Sequence, residues 1–390
     1  MGDAMDDFTA GGYLLENGYF SPCTVVRSGG RVEIDPGLPD RCDFKAVFIK
    51  DMVNAHTHCA DYGLKVPAGL SLEELVAPLD GLKHRYLSEL GMDGLKDNIR
   101  RFDSASAQHG SASFMDFREG GAPGCRALRE CSRDALILGR PVSKEYDPGE
   151  IAEILSVADG IGISSISDMD MDYIESVADD VRRANKIFAI HASERVREDI
   201  DAILSLDPAF VVHMCEATDS DLAKCAEAEV PIAVCPTSNS YFGKTSPVAR
   251  MLNNGVDLML GTDNGMLCEP DLVREAAELS SIMISQGGDG SDAWKALSGV
   301  ACKILYRARR MGKEESERYL TVIPQEGDET RKELALKPSF RVKFNRGGNK
   351  DVIQQDPGAH GRKRIHEASD QAGCRACQDE RRRAHRTLRP

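Results

Sequence analysis

The sequence predicts an α/β fold: a (β/α)8 TIM barrel with a small β domain formed mainly from the N-terminal segment. Three observations carry this. Eight short apolar runs alternate with longer amphipathic segments. Most histidines outside the C-terminal tail fall where such a run ends. The 390 residues suffice for a core of about 250 residues plus one smaller unit.

Residues 1–46 contain ENGYF, CTVVRSGGRVEI and the turn-rich DPGLPD, short β segments expected to form the small domain beside the barrel. The barrel is expected over 47–312. Its runs are VFIKDMVNAHTH (47–58), SASFMDFREG (111–120), DALILGRPVS (134–143) and DGIGISSISD (159–168), then KIFAIHASE (186–194), AFVVHMCEA (209–217), PIAVCPTSN (231–239) and VDLMLGTDN (256–264). Helix-like stretches lie between them, such as MDYIESVADDVRRAN (171–185) and DSDLAKCAEAE (219–229), the latter with Asp219 or Ser220 as expected N-cap. Strands separated by helices imply parallel βαβ units, and near-continuous apolar strands suit a sheet covered on both faces. An open doubly wound sheet is the rival; the strand-end residues described below call instead for convergence on one mouth. Residues 269–312 look helical, ending in AWKALSGVACKILYRARRMG.

The region 313–390 is atypical. KEESERYLTVIPQEGDETRKELALKPSF gives way to a Gly/Arg/Gln-rich run, and large apolar residues nearly vanish after Val352. Such a segment buries too little surface to offset the entropy of ordering, so disorder is expected from about 340. Residues 341–390 carry 13 Lys+Arg against 6 Asp+Glu, whereas the remainder carries 36 against 57. The acidic body argues against nucleic acid as ligand. The basic tail, with Cys374-x-x-Cys377, His360, His366 and His385, admits a small zinc or nucleic-acid module on a weak motif. The abrupt change of charge also admits an ending translated out of frame.

The chain begins with acids and no base and shows no apolar run long enough to span a bilayer, so a cytoplasmic protein without membrane partners is expected. The 12 cysteines show no framework spacing and are expected to be reduced and mostly buried. Self-association into a homo-oligomer is left open.

Active sites of (β/α)8 barrels sit at the C-terminal ends of the strands. His56 and His58 end the first run, His191 and Glu194 the fifth, His213 the sixth and Asp263 the eighth. Alternate residues of a strand point to one side, so both imidazoles of His56-Thr-His58 can reach one cation. Imidazole and carboxylate donors suit Zn²⁺, with Fe²⁺ or Mn²⁺ as alternatives. Arg118 and Glu119, ending the second run, are candidates for reading substrate: a guanidinium clamps carboxylate or phosphate, and a carboxylate pairs with a ring N–H. His84 is placed on a segment covering the site. Asn239, with Ser238 beside it, is a candidate substrate contact or a tie for the strand end.

VNAHTH, IHASE, VVHMCEAT, VCPTSN and LGTDN, in that order, resemble the signature segments of the amidohydrolase superfamily. They are most similar to its cytosine deaminase and aminohydrolase branch, related to the chlorohydrolases. The resemblance covers about residues 10–310. It implies that His56, His58, His191 and Asp263 hold one divalent metal and its water, that Glu194 is the proton shuttle, and that His213 touches water or substrate. Asp263 also takes the water's proton. The fourth run offers no lysine as a bridging ligand, which favours one metal; Lys144 and Glu145 past the third run are the exception to watch. The implied activity is hydrolysis of non-peptide C–N bonds in a small molecule, first of all deamination of an amino-heterocycle. Hydrolysis of an amide or cyclic amide by the same residues is the alternative. A barrel without catalysis, serving as a binding partner, is the alternative from another class, and it predicts the loss of a ligand or of the acid.

Overall fold

The computed structural model describes residues 7–16, 18–67, 69–76, 81–309, 318–325 and 340–344. Four N-terminal strands come first: β1 (Phe8–Glu16), β2 (Tyr19–Ser28), β3 (Arg31–Pro36) and β4 (Phe44–Lys50). The run expected as one strand over 47–58 divides at Asp51, whose φ of 50° turns the chain. Its first part pairs in parallel with β1, and its second part opens the barrel.

The barrel strands are β5 (Val53–His58), β6 (Ser113–Arg118), β7 (Ala135–Gly139), β8 (Gly160–Ile163), β9 (Ile187–Ala192), β10 (Phe210–His213) and β11 (Ile232–Val234), followed by the short β12 (Leu258–Leu260) and β13 (Asp263–Asn264). All neighbouring pairs run parallel in chain order. β12 pairs with β11 and β13 pairs with β5. Because β12 and β13 are one stretch interrupted at Gly261–Thr262, that eighth stave closes the ring. The gap is sealed by Asn54: its Nδ2 donates to Thr262 Oγ1 (2.8 Å), and its Oδ1 accepts from the Thr262 N–H (3.0 Å).

The interior is filled by alternate strand residues, among them Val53, Met115, Phe117, Leu138, Phe210 and Met259. Each such side chain contributes about 1.5–3 kcal/mol through burial. The helix Val300–Arg309 presents Ala301, Cys302, Ile304 and Leu305 to the same cluster, closing the N-terminal end. The C-terminal mouth opens on a cleft. Outside, helices such as Met171–Arg183 and Asp219–Glu227 cover the staves. The second helix is capped by Thr218, one residue earlier than expected, in a capping box with Asp221.

Two later strands, β14 (Arg318–Gln325) and β15 (Phe340–Phe344), complete the small sheet in the order β15-β14-β4-β1-β2-β3. Neither strand was expected from the sequence. The signal was present in RYLTVIPQ, where Leu320 and Val322 alternate into the small core with Ala10, Val25 and Phe48. The tail over 345–390, with Cys374, Cys377, His360, His366 and His385, lies outside the described residues, as does 313–317. Among the described residues all ten cysteines are free thiols, only Cys42 being exposed, and no helix is long and apolar enough to cross a membrane.

Candidate active site

The geometry begins with an irregularity in β5. Val53 and Ala55 point into the barrel core, and strict alternation would send residue 57 inward next. The register with β6 instead shifts between Asn54 and Thr57. A bulge of this kind re-aims side chains. His56 and His58 turn toward the axis, and Thr57 binds Met115 O and Asp116 on the neighbouring stave.

The rings then gather. His56 lies 5.1 Å from His58, 4.8 Å from His191 and 5.7 Å from His213, centroid to centroid. Phe117 packs edge-on against His56 and His191. Asp263 Oδ1 is 3.2 Å from His56 Nε2 and 3.5 Å from His58 Nε2. Two overlapping triplets result, His56–His58–His191 and His56–His213–Asp263, each with donor atoms within 4.8 Å of one another.

Hydrogen bonds orient each ring. His191 Nδ1 is 2.8 Å from the Ile163 carbonyl, which only accepts, so that nitrogen carries the proton and Nε2 offers its lone pair. His58 Nδ1 is 2.8 Å from Glu119 Oε1, a carboxylate–imidazole pairing of the sort that steadies metal-binding histidines. His56 is fully buried; its Nδ1 has no hydrogen bond, and its Nε2 faces Asp263 Oδ1. His213 differs. Asn239 Nδ2 lies 3.0 Å from its Nδ1 and donates, leaving the proton on Nε2. That N–H points toward Glu194 Oε1, 3.7 Å away.

Burial pushes His56 and His191 below the usual imidazole range, and it brings His58 down to about 3 with help from Lys83. The three are neutral, as ligands must be. Burial alone would raise Asp263, yet the imidazoles of His56, His213 and His58 hold its carboxyl well below the carboxylate range. Ser238 Oγ donates to Asp263 Oδ2 at 2.6 Å, leaving Oδ1 for the histidines. Burial raises Glu194. Left-handed backbone recurs at these strand ends, with φ of 45° at Ser193, 74° at His213 and 60° at Asp263, a conformation that clusters where function constrains the chain.

Three sequence assignments change. Arg118 is 1% exposed and donates to Glu119 and Asp116, so it reaches no substrate. Glu119 is likewise engaged inside the protein, by His58, Arg118 and Lys83 Nζ at 2.9 Å. Lys83 and Arg118 hold it well below its usual range although burial opposes this. Asn239 is buried against His213 and Ser246 and orients the ring rather than facing the cleft. His84 does line the cleft. Lys144 and Glu145 are exposed and do not line it.

Sequence reasoning missed Lys83, 3% exposed and joined to Glu119, Asp61 and Asn264. It also missed Arg140. Lys83 adjoins the singled-out His84, and Arg140 directly follows β7; both positions were available as signals. The mouth is a cleft bordered by His58, His191, Glu194, His213 and Asp263 among others, a concave placement of the kind in which small molecules bind.

The amidohydrolase family model matches residues 52–302. The chain therefore belongs to the amidohydrolase family and is a hydrolytic enzyme acting on C–N bonds. A protein of Methanocaldococcus jannaschii is 33% identical over 259 residues, covering 60% of this chain and 67% of its own. A proposed aminohydrolase of Archaeoglobus fulgidus is 37% identical over 223 residues, covering 57% and 65%. The chain thus spans about two thirds of the length of these relatives. The crystal structure of an adenosine deaminase from Xanthomonas campestris with bound zinc superposes with a TM-score of 0.64 at 15% identity, over 85% of this chain and 89% of that one. At that identity the likeness is one of fold.

Proposed function

We propose that the protein deaminates an amino-heterocycle hydrolytically, using one divalent cation held by His56, His58, His191 and Asp263, with zinc first and iron or manganese as alternatives. The observation that carries this is His56. A fully buried imidazole whose Nδ1 has no hydrogen-bond partner and whose Nε2 faces a carboxylate oxygen 3.2 Å away is costly unless something else uses a lone pair. Two more neutral imidazoles and an ionised carboxylate face the same point, a donor set that suits a borderline metal. Such a cation supplies Lewis acidity that makes water nucleophilic near neutrality.

The chain's own groups do the rest. Asp263 Oδ1 accepts the proton of the attacking water, while Ser238 keeps the other oxygen occupied. Glu194, protonated further up the pH scale than an ordinary carboxylate, gives its proton to the ring nitrogen; it then passes the proton that Asp263 took from the water to the departing amine, and the hydroxyl of the collapsing intermediate reprotonates it. That help is typically worth about 10²–10⁴ in rate. The His213 Nε2–H, fixed by Asn239, donates to the charge that develops on oxygen. His84 contacts the substrate at the rim.

The test has two parts. Metal analysis of the purified protein is expected to find one equivalent, lost in His191→Ala; a full equivalent in that variant would remove the ligand assignment. Ammonia release is expected from a panel of purines, pyrimidines and pterins bearing an exocyclic amine. Silence across the panel, with hydrolysis of amides or cyclic amides, would replace deamination by amide cleavage.

A further inference from the structure

The charges bordering the cleft are nearly all matched inside the protein. Lys83 pairs with Glu119 and Asp61. Asp168 accepts from Arg195. Glu198 takes the backbone N–H groups of Ser167 (2.8 Å) and Ser193 (2.7 Å). Asp263 faces the histidines and Ser238. Among the described residues bordering the cleft, Arg140 is the arginine that lacks a carboxylate partner: no acid lies within ion-pair distance.

Arg140 is also held in place. It follows β7 directly. Its N–H donates to Arg118 O (2.8 Å) and its carbonyl accepts from Gly121 N (3.2 Å). One guanidinium nitrogen donates to Ser164 Oγ. Ser164 and Ser165, only 9% and 8% exposed, end the adjacent stave and border the same cleft. With its oxygen accepting from Arg140, Ser164 keeps a hydroxyl proton to donate. Most of the five guanidinium N–H groups remain for something else. Burial works against the charge of Arg140, while Glu119 and Asp168 at longer range favour it; a guanidinium stays protonated, and one that is only partly buried with no carboxylate in contact keeps N–H groups for an incoming anion.

Resting on the deaminase reading, we infer that the substrate carries an oxyanion, carboxylate or phosphate, which docks on Arg140 and the Ser164 and Ser165 hydroxyls. The placement suits this. Ser164 follows Ile163, whose carbonyl orients His191, so the anion subsite and the reaction centre lie on neighbouring staves. The substrate class is an aminated heterocycle with its acidic group set apart from the reacting amine, one end at His56, His58, His191 and Asp263 and the other at Arg140. The fork of a guanidinium fits either oxyanion in bidentate fashion.

The test is calorimetric titration of the full chain, metal-loaded and chelator-stripped, with benzoate against benzamide and phenyl phosphate against phenol. At least one anion is expected to bind about tenfold to a hundredfold more tightly than its neutral partner. Arg140→Gln should erase that advantage and Arg140→Lys should restore part of it. Which pair shows the preference identifies carboxylate or phosphate. Persistence after stripping separates binding at Arg140 from binding at a metal. Equal binding of anion and neutral partner overturns the inference. So does a preference that survives Arg140→Gln, or one that vanishes on stripping. If Arg140→Gln does not fold, Arg140→Lys and Ser164→Ala carry the comparison, and an unchanged preference in both overturns it. The readout is binding, so a protein that prefers benzoate through Arg140 yet releases no ammonia defeats deamination alone. One that deaminates neutral heterocycles without any anion preference defeats the subsite alone.

Discussion

Replacing Gly261 with alanine should disable the site without replacing any residue that does chemistry. Gly261 is the first residue of the gap in the eighth stave, and its backbone presses on β5. An added Cβ would stand 2.9 Å from His56 Cβ, 2.9 Å from His56 N and 3.0 Å from His56 O. These atoms belong to a closed sheet, so no flexible side chain can swing aside. Relief to ordinary contact requires the eighth stave to recede from the first by several tenths of an ångström. Overpacking of this kind costs about 1–3 kcal/mol. Asp263 lies two residues on and moves with the stave, away from His56 Nε2, now 3.2 Å distant. Metal-ligand distances tolerate about 0.2 Å, and displacement of about 1 Å at a reacting centre can cost about 10² in rate. Gly261→Ala is therefore expected to stay folded, to melt several degrees lower, and to lose most of its metal after dialysis, with kcat/KM down by about tenfold. Calorimetry, metal analysis and turnover check the three. A variant with a full metal equivalent and wild-type turnover would refute the claim that this contact sets the distance between Asp263 and His56.

Other substitutions probe separate parts. Glu194→Gln should keep its metal and lose about 10²–10⁴ in kcat; because the step needs this carboxyl protonated and burial raises it, kcat/KM of the wild type should fall on the high-pH side through a group that holds its proton above the ordinary carboxylate range, and a high-pH limb that persists unchanged in Glu194→Gln would count against it. Burial pushes Glu275 up to about 7. The folded chain keeps that proton to higher pH than the unfolded chain, so stability falls as pH rises from about 4.5 toward 7, and Glu275→Gln should flatten the decline in denaturant titrations. Lys83→Met would leave Glu119 and Asp61 short of a buried partner and should cost about 3–5 kcal/mol in unfolding measurements. Leu320→Ala, in a strand with Leu320 only 1% exposed, should cost about 2–5 kcal/mol if β14 holds the small sheet together, and an unchanged stability would deny it that role.

Much of this molecule was legible before folding. The eight apolar runs correspond to the eight staves, and the polar residues ending runs one, five, six and eight meet at one mouth. Less legible was what surrounds them. Arg118 and Glu119 end β6 and looked free for substrate, because nothing near them in the chain shows that Lys83 and His58 already engage Glu119. Asn239 looked like a substrate contact because its partner, His213, lies 26 residues away. The division of 47–58 at Asp51 was hidden, since both halves are apolar and a single left-handed residue separates them.

By itself the sequence determined which segments become strands, where each ends, and which donor groups stand at those ends, because apolar periodicity and chain-end chemistry are local properties. Tertiary structure decided which way the groups face and what they touch. The shift between Asn54 and Thr57 exists only through pairing with β6, and it brings both His56 and His58 inward. The orientation of each ring, the internal use of Glu119 and the unmatched charge of Arg140 depend on partners distant in the chain. Hydrogen bonds and charges act over a few ångströms of space, and a linear order of residues carries no record of those distances.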